Sequence, residues 1–432
     1  MMRLPRGTRC TVAMLGTSLL IAPLLLSACA TPTVLGPTLV TDALPRKGDA
    51  TAEASAELAQ AINDFGVALL TTTPSKPGEN TVISPVSVHA ALSMAANGAT
   101  DETEEQMRAV LATDALGDRE TNEQWAALLR RLNRPTSPQT LDVANALWGQ
   151  KGVPFEQSFV DTDRDYFGAG FYTLDFTEDN VAGAVNEWVE NQTRGMITKM
   201  VSNVHPDAVL YLANAVYFKG EWVEPFSEEA TERSSFTRSD GSTVKVDMMS
   251  TAHQMHYAEN GTLQATRLHY AGNETAFYVL LPKAGVSLDS ATSSLGGRGF
   301  SALRESMAEQ GRTEVVLQMP KLDTDFRKSI EEPLTRMGMT NAFDRDTAQF
   351  SGIANIAAPL CIGGVLHASK VIVDETGTEA AAATVIGYEA GALAKAPTEP
   401  KRIVCDRPYL FAIVDEASGA MLFLGAVNDP NE

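Results

Sequence analysis

The spacing of apolar residues changes once along this chain, from a helical pattern in the first half to a strand-like pattern in the second. Ser84 can cap a helix that begins at Pro85 and continues to Ala96, because proline suits the first helical position. Another helix is predicted from Asp101 onwards. Strand patterns follow at 209–218, 276–281, 314–320, 371–373, 410–414 and 421–424, with a hairpin turn between the last two. Helices followed mainly by strands predict an α+β fold with antiparallel sheets.

The charge balance of the chain limits its partners. There are 34 basic and 54 acidic side chains, which gives a formal net charge of -20. A nucleic-acid partner would need a basic face, so we expect none. With 432 residues, 44% of them hydrophobic, the chain can bury a large core.

The N-terminus has the order of a signal peptide. Arg3, Arg6 and Arg9 precede an apolar run at 12–26 that is shorter than the roughly 20 residues of a membrane span. The run ends in Leu-Ser-Ala-Cys at 26–29, which resembles a bacterial lipobox. We therefore predict a lipoprotein signal peptide at 1–28, and an uncleaved anchor is the alternative.

Lipidation of Cys29 is predicted to attach the mature chain to a membrane through several acyl chains. Residues 29–54 are small, polar and proline-punctuated, so a flexible tether is expected there, followed by the folded domain at 55–432. Ala30 is not acidic, which favours the outer membrane or the cell surface of a bacterium over inner-membrane retention. The protein is thus expected to be exported and lipid-anchored.

Two further cysteines lie in the folded domain, Cys361 and Cys405. They can form a disulfide or remain separate thiols, and separate thiols are favoured because no spacing in the sequence forces the two together. Neither has a second cysteine or a histidine in a ligand-like spacing, so no metal site and no cofactor are predicted. The chain also has no GxSxG, HExxH, P-loop or GxGxxG motif in a fitting context, which argues against a hydrolase or a nucleotide enzyme.

The segment from Gly377 to Gly387 is rich in alanine, with four in a row at 380–383. Read as a strand, one face carries only uncharged, mostly small side chains: Thr378, Ala380, Ala382, Thr384 and Ile386. Such a face could slide between two existing strands, and Gly377 gives the backbone freedom to move there. An ordinary surface helix is the alternative on composition alone, because alanine is the best helix former.

Several motifs resemble the serpins, the family of serine protease inhibitors, in that family's order along the chain. They lie at 83–85 with 97–100, 214–222, 315–321, 374–384 and 406–411. The resemblance implies the serpin fold, in which helices pack on three β-sheets and a long reactive-centre loop is exposed. The match at 374–384, Asp-Glu-Thr-Gly-Thr-Glu-Ala-Ala-Ala-Ala-Thr, is typical of the hinge of inhibitory members.

The resemblance implies suicide inhibition of serine proteases rather than enzymatic turnover. The loop would insert into the main sheet after cleavage, while the protease remains attached as an acyl-enzyme. The implied hinge residues are Glu375, Gly377, Thr378, Glu379, Ala380, Ala381, Ala382, Ala383 and Thr384. The alternative is a non-inhibitory serpin that acts as a surface binding protein, but such members usually carry bulky, charged or proline residues in the hinge.

Counting along the family's loop from Glu375 places the cleaved bond between Gly391 and Ala392. Small residues there favour elastase-like or subtilisin-like targets. Other bonds remain open: Ala390 would also suit a shallow pocket, Leu393 a chymotrypsin-like protease and Lys395 a trypsin-like one. Cysteine proteases are a further candidate class, and we expect a monomer.

The resemblance also implies a polar cluster where the strands of the main sheet part. Its members would be Ser84, Ser87, Asn186 and His367, with Trp222 at the top of the opening. Buried polar groups that exchange hydrogen bonds can define two arrangements of a sheet. From the residues alone, His367 is expected to be structural rather than catalytic, and Asn186 to be a polar residue on the surface of a helix at 185–192.

Overall fold

The computed structural model describes most of the chain: residues 38–41 (backbone only), 44–47, 56–76, 78–134, 139–205, 208–357, 360–378 and 399–432. Residues from Pro37 to Glu432 form one unit. Among the described residues, no helix has both the length and the apolar character needed to cross a membrane. The predicted signal peptide at 1–28 and its Cys29 lie outside the described residues.

Nine α-helices occur in the described part of the chain. They are α1 (Ala56–Thr72), α2 (Pro85–Ala96), α3 (Asp101–Val110), α4 (Asp118–Leu132), α5 (Gln157–Phe167), α6 (Val181–Gln192), α7 (Leu288–Ser293), α8 (Gly299–Gln310) and α9 (Glu331–Met337). The predicted start of α2 is confirmed, since the Ser84 hydroxyl accepts a hydrogen bond from the Ser87 N–H and Pro85 is the first helical residue.

The strands are β1 (Thr38–Thr41), β2 (Thr81–Ile83), β3 (Thr140–Gln150), β4 (Gly170–Leu174), β5 (Leu210–Glu221), β6 (Glu232–Thr237), β7 (Thr243–Glu259), β8 (Leu263–His269), β9 (Thr275–Pro282), β10 (Arg312–Pro320), β11 (Leu322–Ser329), β12 (Leu366–Val373), β13 (Gly377–Thr378), β14 (Lys401–Val404), β15 (Tyr409–Asp415) and β16 (Met421–Val427). All six predicted strand patterns coincide with strands, namely β5, β9, β10, β12, β15 and β16.

A seven-stranded sheet has the order β1-β4-β3-β5-β13-β12-β11. Most of its pairs are antiparallel, and β3 with β4 is a parallel pair. The short strand β13 lies between β5 and β12, which are not paired with each other. This arrangement gives a strand position in the main sheet that starts at Gly377.

A nine-stranded sheet has the order β14-β10-β7-β8-β9-β15-β16-β2, with β6 paired to β7. Every residue of β9, β15 and β16 is buried, so the centre of this sheet lies in the core. The resemblance implied three sheets, whereas the structure has a seven-stranded and a nine-stranded sheet. Two of the three expected sheets are therefore joined into the nine-stranded one. The reason is that the 17-residue strand β7 pairs with β6 and β10 along most of its length and with β8 at its C-terminal end.

Part of the predicted tether has regular structure. Strand β1 pairs antiparallel with β4 at the edge of the seven-stranded sheet. The backbone N–H groups of Arg46 and Lys47 donate to the carbonyl oxygen of Asp165 at 2.7 and 2.8 Å. The prediction of a flexible tether at 29–54 is therefore wrong for residues 38–41, whose Thr-Leu-Val-Thr sequence favours a strand.

The two cysteines of the folded domain are both free, so the alternative of separate thiols is the correct one. Cys405 is buried, which raises the pKa of its thiol well above the usual value. Cys361 is half-buried, and burial also raises the pKa of its thiol. Neither thiol is therefore activated as a nucleophile at neutral pH.

Candidate functional site

The first residues of the alanine-rich segment lie in the seven-stranded sheet. Gly377 pairs with Glu221 and Thr378 with Gly220 on β5, while Thr378 also pairs with Val373 on β12. Thr378 therefore has a strand partner on each side, as a residue in a sheet interior does, whereas Gly377 has one on β5. We call Asp374–Thr378, with the side chains that contact it, the hinge site.

Glycine is required at position 377 by close packing of two backbones. A Cβ atom added to Gly377 would overlap the carbonyl oxygen of Gly220 and lie 2.8 Å from the Cα of Glu221. Such contacts leave no room for any other residue. The hinge therefore starts where two glycine-containing strands approach each other.

Thr378 is held by an aromatic group beneath it. Its side chain is 2% exposed, and its hydroxyl lies 2.5 Å from the hydroxyl of Tyr270. The Tyr270 ring stacks on Trp222, with centroids 4.5 Å apart and an angle of 18° between the planes. Burial raises the pKa of Tyr270 well above its usual value, so this phenol stays neutral.

The turn before Gly377 is fixed by one carboxylate. An Asp374 Oδ1 atom accepts hydrogen bonds from the Thr376 N–H at 2.8 Å, the Thr376 hydroxyl at 2.6 Å and the Gly377 N–H at 3.1 Å. Trp222 donates its indole N–H to the carbonyl oxygen of Asp374 at 3.0 Å. Trp222, predicted at the top of the opening, thus contacts the hinge turn directly.

Glu375 connects the turn to two other elements. Its carboxylate lies 2.6 Å from Lys321 Nζ, between β10 and β11, and accepts a hydrogen bond from the Thr231 hydroxyl at 2.7 Å. Burial by itself would raise the pKa of this carboxyl, but the bonds from Lys321 and Thr231 lower it overall. Glu375 is therefore ionised at neutral pH.

A second site lies on β5 and β12, farther from the hinge turn, and we call it the buried polar cluster. Its members are Ser84, Ser87, Asn214 and His367. The Ser84 backbone N–H donates to His367 Nε2 on β12 at 3.0 Å. The Ser87 hydroxyl donates to the side-chain oxygen of Asn214 on β5. The first turn of α2 therefore contacts both strands that border β13.

Asn214, rather than Asn186, is the asparagine of this cluster. Asn186 lies on α6, where its side chain accepts from the Met200 and Val201 N–H groups and donates to the Val201 carbonyl, all at 2.8 Å. The prediction that Asn186 joins Ser84, Ser87 and His367 is wrong. Asn214 is the first residue of the motif at 214–222, and that position was the sequence signal for it.

His367 is fully buried, and burial lowers its pKa to about 4. Because its Nε2 atom accepts a hydrogen bond, the neutral ring carries its proton on Nδ1. A neutral, enclosed imidazole whose partner is a backbone amide has a structural role here.

The remaining predicted site residues lie outside the described residues. They are Glu379, Ala380, Ala381, Ala382, Ala383 and Thr384 of the hinge, and Ala390, Gly391, Ala392, Leu393 and Lys395 of the cleavage region. Within the described part of the chain, no group of three or more His, Cys, Asp or Glu side chains is arranged to hold a metal ion.

Comparison with known sequences gives the same family over most of the chain. Residues 60–430 match the family described as Serpin (serine protease inhibitor). Serpin B6 of Macaca fascicularis is 34% identical over 382 residues, covering 86% of this chain and 99% of that protein. An uncharacterised serpin-like protein of Thermococcus kodakarensis is 34% identical over 359 residues, covering 82% of this chain and 81% of the relative.

Comparison with solved structures includes two states of one protein, the thermophilic serpin tengpin. Its native state matches with a TM-score of 0.81 and 28% identity, covering 91% of this chain and 100% of that one. Its latent state matches with a TM-score of 0.73 and 26% identity, covering 89% and 100%. The present fold is thus more similar to the native state.

Proposed function

Because the chain belongs to the serpin family, whose members are typically protease inhibitors rather than enzymes, we propose that it inhibits serine proteases as a suicide substrate. The observation that carries the proposal is the position of β13. The hinge residues Gly377 and Thr378 already pair with β5, and Thr378 also pairs with β12 on the other side. A longer strand can extend from this start.

The sequence after Thr378 suits such an extension. The side chains of one face of 378–386 are uncharged and mostly small, so their burial between two strands has little steric or desolvation cost. The non-inhibitory alternative would be favoured by a bulky, charged or proline residue in the hinge, and none occurs on that face from Thr378 to Thr384.

Insertion would lower the free energy of the protein substantially. Each main-chain hydrogen bond contributes about 0.5–1.5 kcal/mol net, so about ten new bonds approach the stability of an ordinary domain, about 5–15 kcal/mol. A form that has not inserted its loop is then metastable and is held by a kinetic barrier. Insertion of a reactive loop as a new strand is the behaviour for which serpins are the standard example.

The covalent step is the first half of normal proteolysis. The protease serine attacks the carbonyl carbon of Gly391, the bond to Ala392 breaks, and the new amino group at Ala392 takes up a proton. An ester now joins the protease to Gly391. If insertion is faster than hydrolysis of this ester, the protease is displaced with its active site distorted, and the ester persists.

The targets that we propose are elastase-like or subtilisin-like proteases, because Ala390, Gly391 and Ala392 are small. Incubation with a panel of elastase-, subtilisin-, chymotrypsin- and trypsin-like proteases and a papain-like cysteine protease, followed by denaturing electrophoresis, tests this. A covalent complex is expected, and the mass of the released C-terminal peptide identifies the cleaved bond. Cleavage by every protease of the panel without any complex would contradict the inhibitory function.

The strongest variant test is at Thr378, which is buried against Tyr270. Thr378→Arg would require a charged side chain in this enclosed position, so insertion should stop and the inhibitor should become a substrate. We expect loss of the covalent complex and complete cleavage in the loop. Thr243→Arg, at an exposed threonine of β7, is the matched control and should inhibit like the wild type. Unchanged stoichiometry for Thr378→Arg would contradict the mechanism.

We also propose that the mature protein is exported and lipid-anchored through Cys29, on an outer membrane or cell surface. The support is the sequence Leu-Ser-Ala-Cys at 26–29 after an arginine-flanked apolar run. Expression in a Gram-negative host with labelled palmitate should yield a labelled membrane protein, and Cys29→Ser should yield an unlabelled one. Equal labelling of both proteins would contradict the anchor, without bearing on inhibition.

A further inference from the structure

A cavity of about 220 Å³ lies among β7, β8, β10 and the turn after β5. Three of the six histidines in the chain line it: His253 and His256 on β7 and His269 on β8. Neither the hinge site nor the buried polar cluster includes them. The cavity therefore needs its own explanation.

One arginine lies on each side of His256 in the sheet. His256 pairs across the ladder with Arg267 on β8 and with Arg312 on β10. The acidic groups are Glu224, which contacts His253 at 2.8 Å and Arg312 at 3.4 Å, and Glu416, which pairs with Arg267 at 2.6 Å. Each guanidinium has five N–H donors, so Arg267 and Arg312 keep donors beyond those that Glu416 and Glu224 occupy, and donors exceed acceptors around this space.

Two polar atoms of the lining have no hydrogen-bond partner. Arg267 Nε and His269 Nδ1 are both enclosed by the protein and unpaired. Buried polar atoms nearly always have a partner in the protein, a water molecule or an ion. Arg267 and His269 are two residues apart on β8 and so belong to one face of the strand.

We propose that this cavity binds a small oxyanion of the sulfate, phosphate or carboxylate class. Such an ion presents several acceptor oxygens, which the guanidinium and imidazole groups can reach with charge-assisted hydrogen bonds. The apolar side chains of Met255 and Leu268 also line the cavity and leave room for a small organic carboxylate. The excess of donors disfavours a cation.

Binding should be linked to protonation of the histidines. Burial lowers the pKa of His269, and the nearby Arg267 lowers it further. Glu416 opposes this shift, whereas His256 and Arg312 add to it. Burial also lowers the pKa of His253, an effect that Glu224 opposes and Arg312 reinforces. An anion in the cavity stabilises the protonated rings, so its affinity should rise as the pH falls.

The site is adjacent to the hinge site. The Val223 N–H donates to the carbonyl oxygen of His269 at 2.9 Å, and the next residue, Tyr270, contacts Thr378. An occupied cavity would hold the turn at Val223 in place. The inference does not depend on the inhibitory function, because binding can be measured without a protease.

Sulfate is the probe that tests the proposal, because its charge is constant between pH 6 and pH 8. Titration of the purified protein with sulfate at fixed ionic strength, followed by the ring signals of labelled histidines, should show saturable shifts for His253, His256 and His269. The buried rings of His89 and His367 should not shift. Uptake of one proton predicts that the affinity rises by up to about tenfold for each pH unit between pH 8 and pH 6.

Variants test the location of the ion. Arg312→Gln should weaken sulfate binding at least about fivefold, since it removes one charged donor. The matched control is Arg233→Gln, at an exposed arginine that also pairs with one carboxylate, and it should bind like the wild type. His269→Gln is a second variant and should reduce the dependence on pH. Absence of saturable shifts at the three histidines, or equal affinity of Arg312→Gln and wild type, would overturn the proposal.

Discussion

The hinge site and the buried polar cluster border the same two strands, yet they are built differently. The hinge site depends on an ionised carboxylate, Glu375, whose partner Lys321 is 42% exposed. The cluster is closed to solvent and uncharged, and its bonds run from α2 to Asn214 on β5 and to His367 on β12. During a rearrangement, water can replace part of the hydrogen bonds of the hinge site, whereas it cannot readily replace those of the buried polar cluster.

This difference suggests how strand formation between β5 and β12 is controlled. A new strand can start at β13, because Gly377 and Thr378 already pair with β5 and Thr378 also pairs with β12. The new strand can lengthen past the buried polar cluster only if the contacts of α2 with β5 and β12 change there. We therefore expect the cluster to control the rate of insertion and the hinge site to control its beginning.

The largest expected effect is acid destabilisation of the cluster. The pKa of His367 is lowered to about 4 in the folded protein, below the ordinary value of 6.5. Its stabilising contribution is complete above pH 6.5 and is lost as the pH falls towards 4, to a total of about 3 kcal/mol. Conversion of the native form to a heat-stable inserted form, followed on native gels from pH 7.5 to 4.5, should accelerate below about pH 6.

His89 provides the matched control, because burial lowers its pKa to about 4 as well. Its ring contacts the Leu111 carbonyl and lies outside the cluster. His89→Gln should keep the acid acceleration, and His367→Gln should abolish it. Identical pH profiles for the two variants would mean that the cluster does not control conversion.

The next effect in size is expected at Asn214. Asn214→Ala removes the partner of the Ser87 hydroxyl and of the Asn145 side-chain oxygen, at a cost of about 2 kcal/mol. Conversion at neutral pH should be faster and the melting temperature lower. Asn186→Ala is the control, since it loses hydrogen bonds of similar number on α6. If both variants convert at the same rate, the cluster has no special role.

The smallest effect is expected at the hinge site. Tyr270→Phe keeps the ring stacked on Trp222 but removes the bond to Thr378, which should cost about 1 kcal/mol in chemical unfolding. Inhibition should change little, because the backbone pairs of β13 remain. Tyr211→Phe, which loses a bond to the His205 backbone N–H, is the comparison. A large loss of inhibition in Tyr270→Phe alone would place control at the hinge instead.

Local patterns predicted much of the fold. The Ser84 cap, the proline at 85 and the hairpin of β15 and β16 depend on neighbours in sequence, so their residues contain the needed information. The joining of two sheets by β7 depends on pairings between distant segments, and periodicity does not encode those partners. The pairing of β1 with β4 is of the same kind.

The site shows the same limit at the level of single residues. Asn186 and Asn214 are both asparagines near apolar residues, and only the register of β5 beneath α2 brings Asn214 to Ser87. Tyr270 was not predicted at all, because its contact with Thr378 joins residues 108 positions apart. The resemblance identified the hinge residues, whereas the side chains that contact the hinge could be identified only from the three-dimensional structure.

The contact between Gly377 and Gly220 has a consequence for how such proteins can diverge. Since the first step of strand formation depends on the close approach of two backbones and on contacts of the hinge turn, it places no demand on the residues that a protease reads further along. Duplicated copies of the gene could acquire new bait sequences, and so new targets, while keeping an unchanged trap.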